Sequence, residues 1–163
     1  MVKQKKLNLL TLIKFFLVTF LLFYFLYQAL FQTSVIEGKS MDPTYEQGEL
    51  ILANKWVYMF DDPKRGDVVI IEKPTKQYIK RIIALPNETV EVRNHTLYIN
   101  GEPYAQHFLP IDVQNSTTDF GPIVIPKDSY FVMGDNRIYS KDSRNGLGFI
   151  SRDEIIAKSL KFP

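Results

Sequence analysis

The 163-residue chain has no cysteine and only two histidines. The absence of cysteine excludes disulfides, zinc–thiolate sites and a thiol nucleophile, so any enzymatic chemistry has to use another group. His95 and His107 are too few for a histidine-rich metal site, and we predict that they are ordinary surface or hairpin residues. We therefore expect neither a metal nor a cofactor.

Acidic residues are missing from the first 36 positions, where Lys3, Lys5, Lys6 and Lys14 are the only charged residues. The remainder of the chain holds 16 basic and 18 acidic residues, so the net charge of +2 conceals a slightly acidic main part. A basic patch or stripe is the electrostatic footprint of nucleic-acid binding. This distribution therefore argues against nucleic acid as a partner.

The uncharged run from Phe15 to Ile36 is dominated by Phe, Leu, Val and Tyr. As an α-helix its 22 residues would rise about 33 Å, enough to cross a bilayer core of about 30 Å. The lysines precede this run and the first acidic residue follows it, which by the positive-inside rule places the N-terminus in the cytoplasm. We predict a basic cytoplasmic segment at 1–14, a transmembrane helix at 15–36 and an extracytoplasmic domain at 37–163.

A cleaved signal peptide is the alternative interpretation of the same apolar run. The run is longer than the apolar region of a typical signal peptide, and its end at 27–32 offers no convincing pair of small residues for cleavage. A retained single-pass anchor, in contact with membrane lipid, is therefore the prediction.

The rest of the chain is predicted to form short strands separated by turns, giving a mostly β domain. Strands are predicted at 49–54, 68–71, 78–83, 89–92, 96–99 and 129–133. The segment 102–125 is weakly patterned and rich in Pro, Asn, Thr and Asp, so we interpret it as a reduced, extended excursion. Residues 151–156 are predicted to form a single turn capped by Ser151.

Ser40 lies on a constrained bend directly after the apolar run. Gly38 opens backbone dihedrals that other residues avoid, and Pro43 prevents continuation as regular helix or central strand. Such a bend is able to aim a hydroxyl and a main-chain N–H at one point, although an ordinary Gly/Ser/Pro turn has the same composition. A catalytic serine also needs a base and an oxyanion donor nearby.

Lys80 is the candidate base. Side chains alternate on a strand, so Tyr78, Lys80 and Ile82 share one face of the predicted strand. Burial of that face would lower the lysine's pKa, and a neutral amine accepts a proton from a serine hydroxyl. The alternative is a lysine that extends from a half-exposed strand into water.

A third informative stretch, Gly134 to Arg144, follows the strand at 129–133 and is dense in hydrogen-bonding residues. Either Asp135 or Asp142 is predicted to pair with Arg144 and hold the loop, and Ser140 is a candidate for orienting a buried amine. A solvated loop of the same composition is the alternative.

Four motifs in this order resemble type I signal peptidase, in the short single-anchor form of Gram-positive bacteria. They are Ser-Met-x-Pro-Thr, Arg-Gly-Asp-Val-Val, Tyr-Ile-Lys-Arg-Ile-Ile-x-Leu-Pro and Gly-Asp-Asn-Arg-x-x-Ser-x-Asp-Ser-Arg. The resemblance extends from the anchor to about Ile150. It implies a signal-peptidase-type β-sheet domain on one transmembrane helix in the bacterial cell membrane. The implied activity is a serine endopeptidase that removes signal peptides from exported preproteins by a Ser-Lys acyl-enzyme mechanism.

By the same resemblance Ser40 is the nucleophile and Lys80 the general base, while Ser140 hydrogen-bonds the lysine. Asp142 and Arg144 match the ion pair that supports the site. Asp135 matches a further member of that network. The main-chain N–H of Ser40 is the expected oxyanion donor; since position 38 is glycine, a side-chain hydroxyl there is not available as a second donor.

A substrate is expected to add as an extended strand beside 35–36 and 78–79, with Ile36, Tyr78 and Ile79 as substrate-binding residues. Two rivals remain. A self-cleaving Ser-Lys repressor-type protease would need a DNA-binding helical domain where this chain has its anchor. A catalytically silent membrane-anchored β module that binds exported chains is the alternative from another functional class.

Overall fold

The computed structural model describes residues 8–160 of the chain, so Lys3, Lys5 and Lys6 of the predicted cytoplasmic segment lie outside the described residues. Helix α1, Leu9–Leu30, is the one helix in the described part that is long and apolar enough to cross a membrane. None of its residues is buried against the rest of the protein. The apolar side chains of α1 are therefore not packed into the core of the β domain.

The predicted bounds of the transmembrane helix, 15–36, are wrong at both ends. Helix α1 already includes Lys14 and stops at Leu30, and the next residues form strand β1, Phe31–Val35. Strand β1 pairs antiparallel with β2, Leu50–Asn54. The backbone leaves the helix because this pairing supplies its hydrogen bonds.

Seven strands form the main sheet, in the order β1-β2-β11-β3-β4-β9-β10. Its further members are β3 Val68–Glu72, β4 Gln77–Ala84, β9 Ser129–Met133, β10 Ile150–Ser151 and β11 Ile155–Leu160. Strands β3 and β4 are antiparallel neighbours with unbroken register, from Val68 opposite Arg81 to Glu72 opposite Gln77. This β-branched pair is largely buried at the centre of the sheet.

The second sheet has four strands in the order β7-β6-β5-β8. They are β5 Thr89–Arg93, β6 Thr96–Ile99, β7 Glu102–Pro103 and β8 Phe120–Val124. The predicted hairpin of β5 and β6 is confirmed. The segment 102–125 is more regular than predicted, because it holds β7, the short helix α3, Ile111–Asn115, and β8.

The fold class is confirmed as mostly β with one N-terminal apolar helix. The turn after Ser151 is present, and the Ser151 N–H donates to the Glu154 carboxylate at 2.9 Å. Strand β11, which begins directly after that turn, was not predicted. It lies between β2 and β3, so it joins the part of the sheet that follows α1 to the part that carries β4.

Candidate active site

Ser40 lies in a turn of the connection between β1 and β2. Gly38 has a φ of +80°, a conformation that glycine adopts without strain, so the predicted bend is present. The carbonyl oxygen of Ser40 accepts a hydrogen bond from the Asn136 N–H at 3.1 Å. The bend is thus attached to the loop that follows β9.

Lys80 projects from β4 toward that bend. Its Nζ lies 2.7 Å from Ser40 Oγ and also donates to the Ile79 carbonyl at 2.7 Å. Only 3% of the Lys80 surface is exposed. The two side chains that the sequence proposed as nucleophile and base are therefore in direct contact. We call this pair, Ser40 and Lys80, the dyad.

Burial lowers the pKa of Lys80 to about 8, because the ammonium form loses its water. The carboxylates of Asp142 and Asp135 act in the opposite direction, and the positive charge of Lys76 lowers the pKa further. A substantial fraction of Lys80 is therefore neutral at mildly alkaline pH, and the neutral amine is able to take a proton from Ser40.

Gly134, directly after β9, packs between Ser40 and Ser140. Its N–H lies 3.1 Å from Ser140 Oγ and 3.0 Å from Asp142 Oδ2 and donates to both. A Cβ atom added at Gly134 would overlap the Ser40 carbonyl oxygen and the Ser140 side chain. Glycine is required here by the close approach of two loops, a role that the sequence did not reveal.

Ser140 is buried beside the dyad but has different partners from those predicted. The resemblance implied a hydrogen bond to the lysine, whereas Ser140 Oγ accepts from Gly134 N–H and its hydroxyl bonds to Asp142. Within residues 8–160, the hydrogen bonds of Lys80 Nζ go to Ser40 and Ile79. In this structure Ser140 thus holds the loop and does not contact the amine by a hydrogen bond.

Of the two carboxylates that the sequence left open as partners of Arg144, Asp142 is the one that pairs with it. Arg144 donates from Nε and Nη2 to the two Asp142 oxygens at 2.9 and 2.8 Å. Burial acts to raise the pKa of Asp142, but the hydrogen bonds and charge of Arg144 outweigh it, so the pKa is lowered. Asp142 therefore stays ionised behind the dyad.

Asp135 pairs with Arg81, a residue that the sequence analysis did not assign to the site. Arg81 Nε and Nη2 donate to the two Asp135 oxygens at 2.9 and 2.6 Å, and Arg81 Nη1 donates to the Gly66 carbonyl at 2.8 Å. Both partners are buried. Because Arg81 follows Lys80 on β4, this ion pair connects the strand that carries Lys80 to the loop after β9, which also binds Ser40. The sequence indicated only that Arg81 and Lys80 lie on opposite faces of this strand.

Ser40 and Lys80 open into a cleft of about 520 Å³. Ile36, Tyr78 and Ile79, the predicted substrate-binding residues, line the same cleft. Among the described residues there is no group of three or more His, Cys, Asp or Glu side chains placed to hold a metal ion. The two reactive side chains that meet in the cleft are the Ser40 hydroxyl and the Lys80 amine.

A serine hydroxyl on a bend, in contact with a desolvated amine, is the arrangement of a serine hydrolase that uses lysine as its base. Comparison with known proteins narrows this class. A family model described as signal peptidase, peptidase S26, matches residues 9–162. The chain belongs to this signal peptidase family, and its relatives give no support to a catalytically silent module.

Two curated relatives and one solved structure illustrate the similarity. Signal peptidase I P of Bacillus subtilis subsp. natto is 40% identical over 163 residues, covering 94% of this chain and 88% of the relative. Signal peptidase I T of Bacillus subtilis (strain 168) is 46% identical over 139 residues, covering 80% and 72%. A crystal structure of a signal peptidase I from Enterococcus faecalis V583 is 34% identical, with a TM-score of 0.55, and the match covers 62% of this chain and 98% of that one.

Proposed function

We propose that the chain is a membrane-bound serine endopeptidase that removes signal peptides from exported preproteins, with Ser40 as nucleophile and Lys80 as general base. The observation that carries the proposal is the 2.7 Å contact between Ser40 Oγ and the buried amine of Lys80. Membership of the signal peptidase family supplies the substrate class.

In the proposed mechanism neutral Lys80 takes the hydroxyl proton while Ser40 Oγ attacks the carbonyl carbon of the scissile bond. The tetrahedral intermediate collapses to an acyl-enzyme on Ser40, and the Lys80 ammonium returns its proton to the leaving amine. Lys80, neutral again, then takes a proton from a water that attacks the ester carbonyl, and returns it to Ser40 Oγ as the ester bond breaks and the carboxyl end of the signal peptide leaves. Proton and leaving group are thereby accounted for by one hydroxyl and one amine.

The main-chain N–H of Ser40 is the proposed oxyanion donor. Within residues 8–160 it has no hydrogen-bond partner, although the carbonyl of the same residue is engaged by Asn136. An N–H already held in place costs no reorganisation when negative charge develops on the substrate oxygen. Its position beside the nucleophile supports this role.

Two unpaired backbone edges support binding of the substrate as an extended strand. In the part of the chain that the structure describes, strand β1 pairs with β2 alone, and β4 pairs with β9 only from Arg81 onward, so Gln77–Lys80 pairs with β3 alone. Residues of both edges line the cleft of the dyad. Backbone hydrogen bonds to these edges would give affinity, with Ile36, Tyr78 and Ile79 contacting substrate side chains.

We place α1 across the bacterial cell membrane with its N-terminus in the cytoplasm and the β domain outside, following the charge asymmetry around the helix. The uncharged part of α1, Phe15–Leu30, rises only about 24 Å, less than the ~30 Å core. The short helix α2, Val57–Phe60, lies next to the end of α1, because the Lys55 N–H donates to the Leu30 carbonyl at 2.8 Å.

The exposed side chains of α2 are apolar, and we place them in the part of the bilayer that the uncharged part of α1 does not span. Met59 is 70% and Phe60 76% exposed, and Trp56, directly before α2, is also exposed. Apolar and aromatic side chains at this level are favoured in the membrane interface. This arrangement supports contact of the domain with lipid.

The proposal is tested with the full chain in detergent and one signal-bearing preprotein. Ser40→Ala and Lys80→Ala are each expected to abolish cleavage while circular dichroism and thermal unfolding still show a folded domain. Ser129→Ala and Lys127→Ala, which change the same residue types away from both the dyad and the clefts beside it, should cleave normally. Near-normal turnover by either dyad variant would refute the assignment.

A further inference from the structure

A second cleft, of about 420 Å³, adjoins the bend of Ser40. Consecutive residues of one segment line the two clefts. Ser40 and Met41 line the dyad cleft, which is the first cleft, and Asp42 and Pro43 line the second. Likewise the loop after β9 contributes Tyr139 to the first cleft and Ile138 to the second. A peptide crossing Ser40 therefore passes from one cleft to the other.

The distances along the chain suit the residues on the leaving side of a scissile bond. Asp42 follows Ser40 by two residues, which is at most about 7 Å of extended chain. The hydrogen bond from Asn136 N–H to the Ser40 carbonyl fixes the boundary between the clefts, and Asn136 lines the second one. The first two or three residues after a bond held at Ser40 thus reach the second cleft.

The two clefts carry opposite charge. Of the residues at 8–160, the dyad cleft is lined by Lys39, Lys76 and Lys141 besides Lys80, with Glu37 as the one acidic residue. In the same part of the chain, the second cleft is lined by Asp42 and Asp112 and by no basic residue. Within residues 8–160 neither of these two carboxylates takes part in an ion pair.

We propose that the second cleft receives the first residues of the mature chain and favours a basic over an acidic side chain there. The inference rests on the proposed function, since it requires cleavage at Ser40. Cleavage also creates a new α-amino group at this end of the product, and its positive charge on release suits the same carboxylates. Pro43, Val113 and the exposed Ile138 form the apolar wall against which such a segment would lie.

The test uses the full chain in detergent at low ionic strength and two quenched fluorescent peptides. They share one signal-peptide part and differ only in Lys or Glu at the second residue after the scissile bond. The Lys peptide is expected to have a kcat/KM about two- to fivefold higher, the size of effect typical for exposed charge pairs, and salt should reduce the difference. A third peptide with Gln at that position reports the activity itself.

Asp112→Lys changes the charge of the second cleft without touching the dyad, because Asp112 is an exposed residue of α3. It should remove the preference for Lys over Glu, because the new positive charge then offsets Asp42, with each rate expressed relative to that of the Gln peptide for the same variant. Glu102→Lys, the same charge change on β7, is the matched control and should keep the wild-type preference. Equal rates for the two charged peptides in the wild type, or an unchanged preference in Asp112→Lys, would overturn the inference.

Photo-crosslinking identifies the occupant directly. A benzoylphenylalanine placed at position 138 of the Ser40→Ala chain is expected to cross-link to the mature part of an added preprotein. If position 138 cross-linked instead to a second copy of the chain, or to lipid added in place of detergent, and not to the preprotein, the cleft would belong to that occupant and the inference would be overturned. If Ser40→Ala still cleaved the Gln peptide, the proposed function itself would fail.

Discussion

Gly134 packs directly against the carbonyl oxygen of Ser40, leaving no space for a side chain between the bend and the loop after β9. The same residue donates its N–H to Ser140 and Asp142. The position of the candidate nucleophile therefore depends on a glycine far away in the sequence. Ser40 is held through its main chain, which leaves its hydroxyl for Lys80.

Gly134→Ala should inactivate the protein without unfolding it. The added methyl group has to displace the Ser40 carbonyl, and a shift of about 1 Å in a reacting group costs on the order of 100-fold in rate. Single-turnover cleavage of a preprotein measures the loss. Gly101→Ala is the control: it strains a turn at φ +83° in open space and should lower stability but spare kcat. Equal activities of the two variants would contradict the role given to Gly134.

The rate should rise with pH until Lys80 is neutral. Since the pKa of Lys80 is lowered to about 8, kcat/KM is expected to increase through pH 8 and then level off. The positive charge of Lys76 contributes to this lowering, so Lys76→Glu should move the midpoint to higher pH. Lys127→Glu, an exposed lysine elsewhere, should leave the midpoint unchanged. A profile that is flat from mildly acidic to alkaline pH would argue against a lysine base.

Arg81→Ala should be far more destabilising than Arg93→Ala. Removing Arg81 takes from the fully buried Asp135 carboxylate the guanidinium that pairs with it, and breaking a buried ion pair in this way costs about 3–5 kcal/mol. Arg93 pairs with Glu91 at 3.3 Å on the surface, and loss of such a pair costs about 1 kcal/mol or less. Denaturant unfolding of both variants in the same detergent gives the comparison. Similar losses would show that the Arg81–Asp135 pair does not hold the fold together.

Trp56 should report contact with lipid, because it is the one tryptophan of the chain. In nanodiscs its fluorescence is expected to be quenched by lipids brominated near the headgroup end of the acyl chains. A Trp56→Phe, Val124→Trp chain moves the probe to an exposed position of β8 in the second sheet and should escape quenching. Unquenched emission from Trp56 would remove α2 from the membrane surface.

The central strands were predictable because their patterns are local. β-branched runs bounded by turn residues predicted β3 and β4 to within one or two residues, and strand alternation placed Lys80 on one face with Tyr78 and Ile82 while leaving its burial open. Asn87 has the left-handed backbone, φ 64°, that its place in a turn requires. Local patterns of this kind require no knowledge of distant partners.

The parts that could not be predicted depend on pairing between distant residues. No charge or turn residue marks the change from α1 to β1 within the uncharged run, and only pairing with β2 makes 31–35 a strand. Arg81 and Asp135 are separated by 54 positions, so nothing local links them. Ser140 is a different case: its partner Gly134 is near in sequence, but the choice of that partner depends on how the loop after β9 folds back on itself.

Strand β11 is the last strand of the described chain, yet it occupies a place between β2 and β3. Residues emerge from synthesis in order, so the sheet keeps a gap at that place until Ile155–Leu160 has been made. A newly made copy therefore joins β2 to β3 only after these residues have emerged. A copy cut short before Ile155 would carry both Ser40 and Lys80 and still lack the strand that connects the two parts of their scaffold.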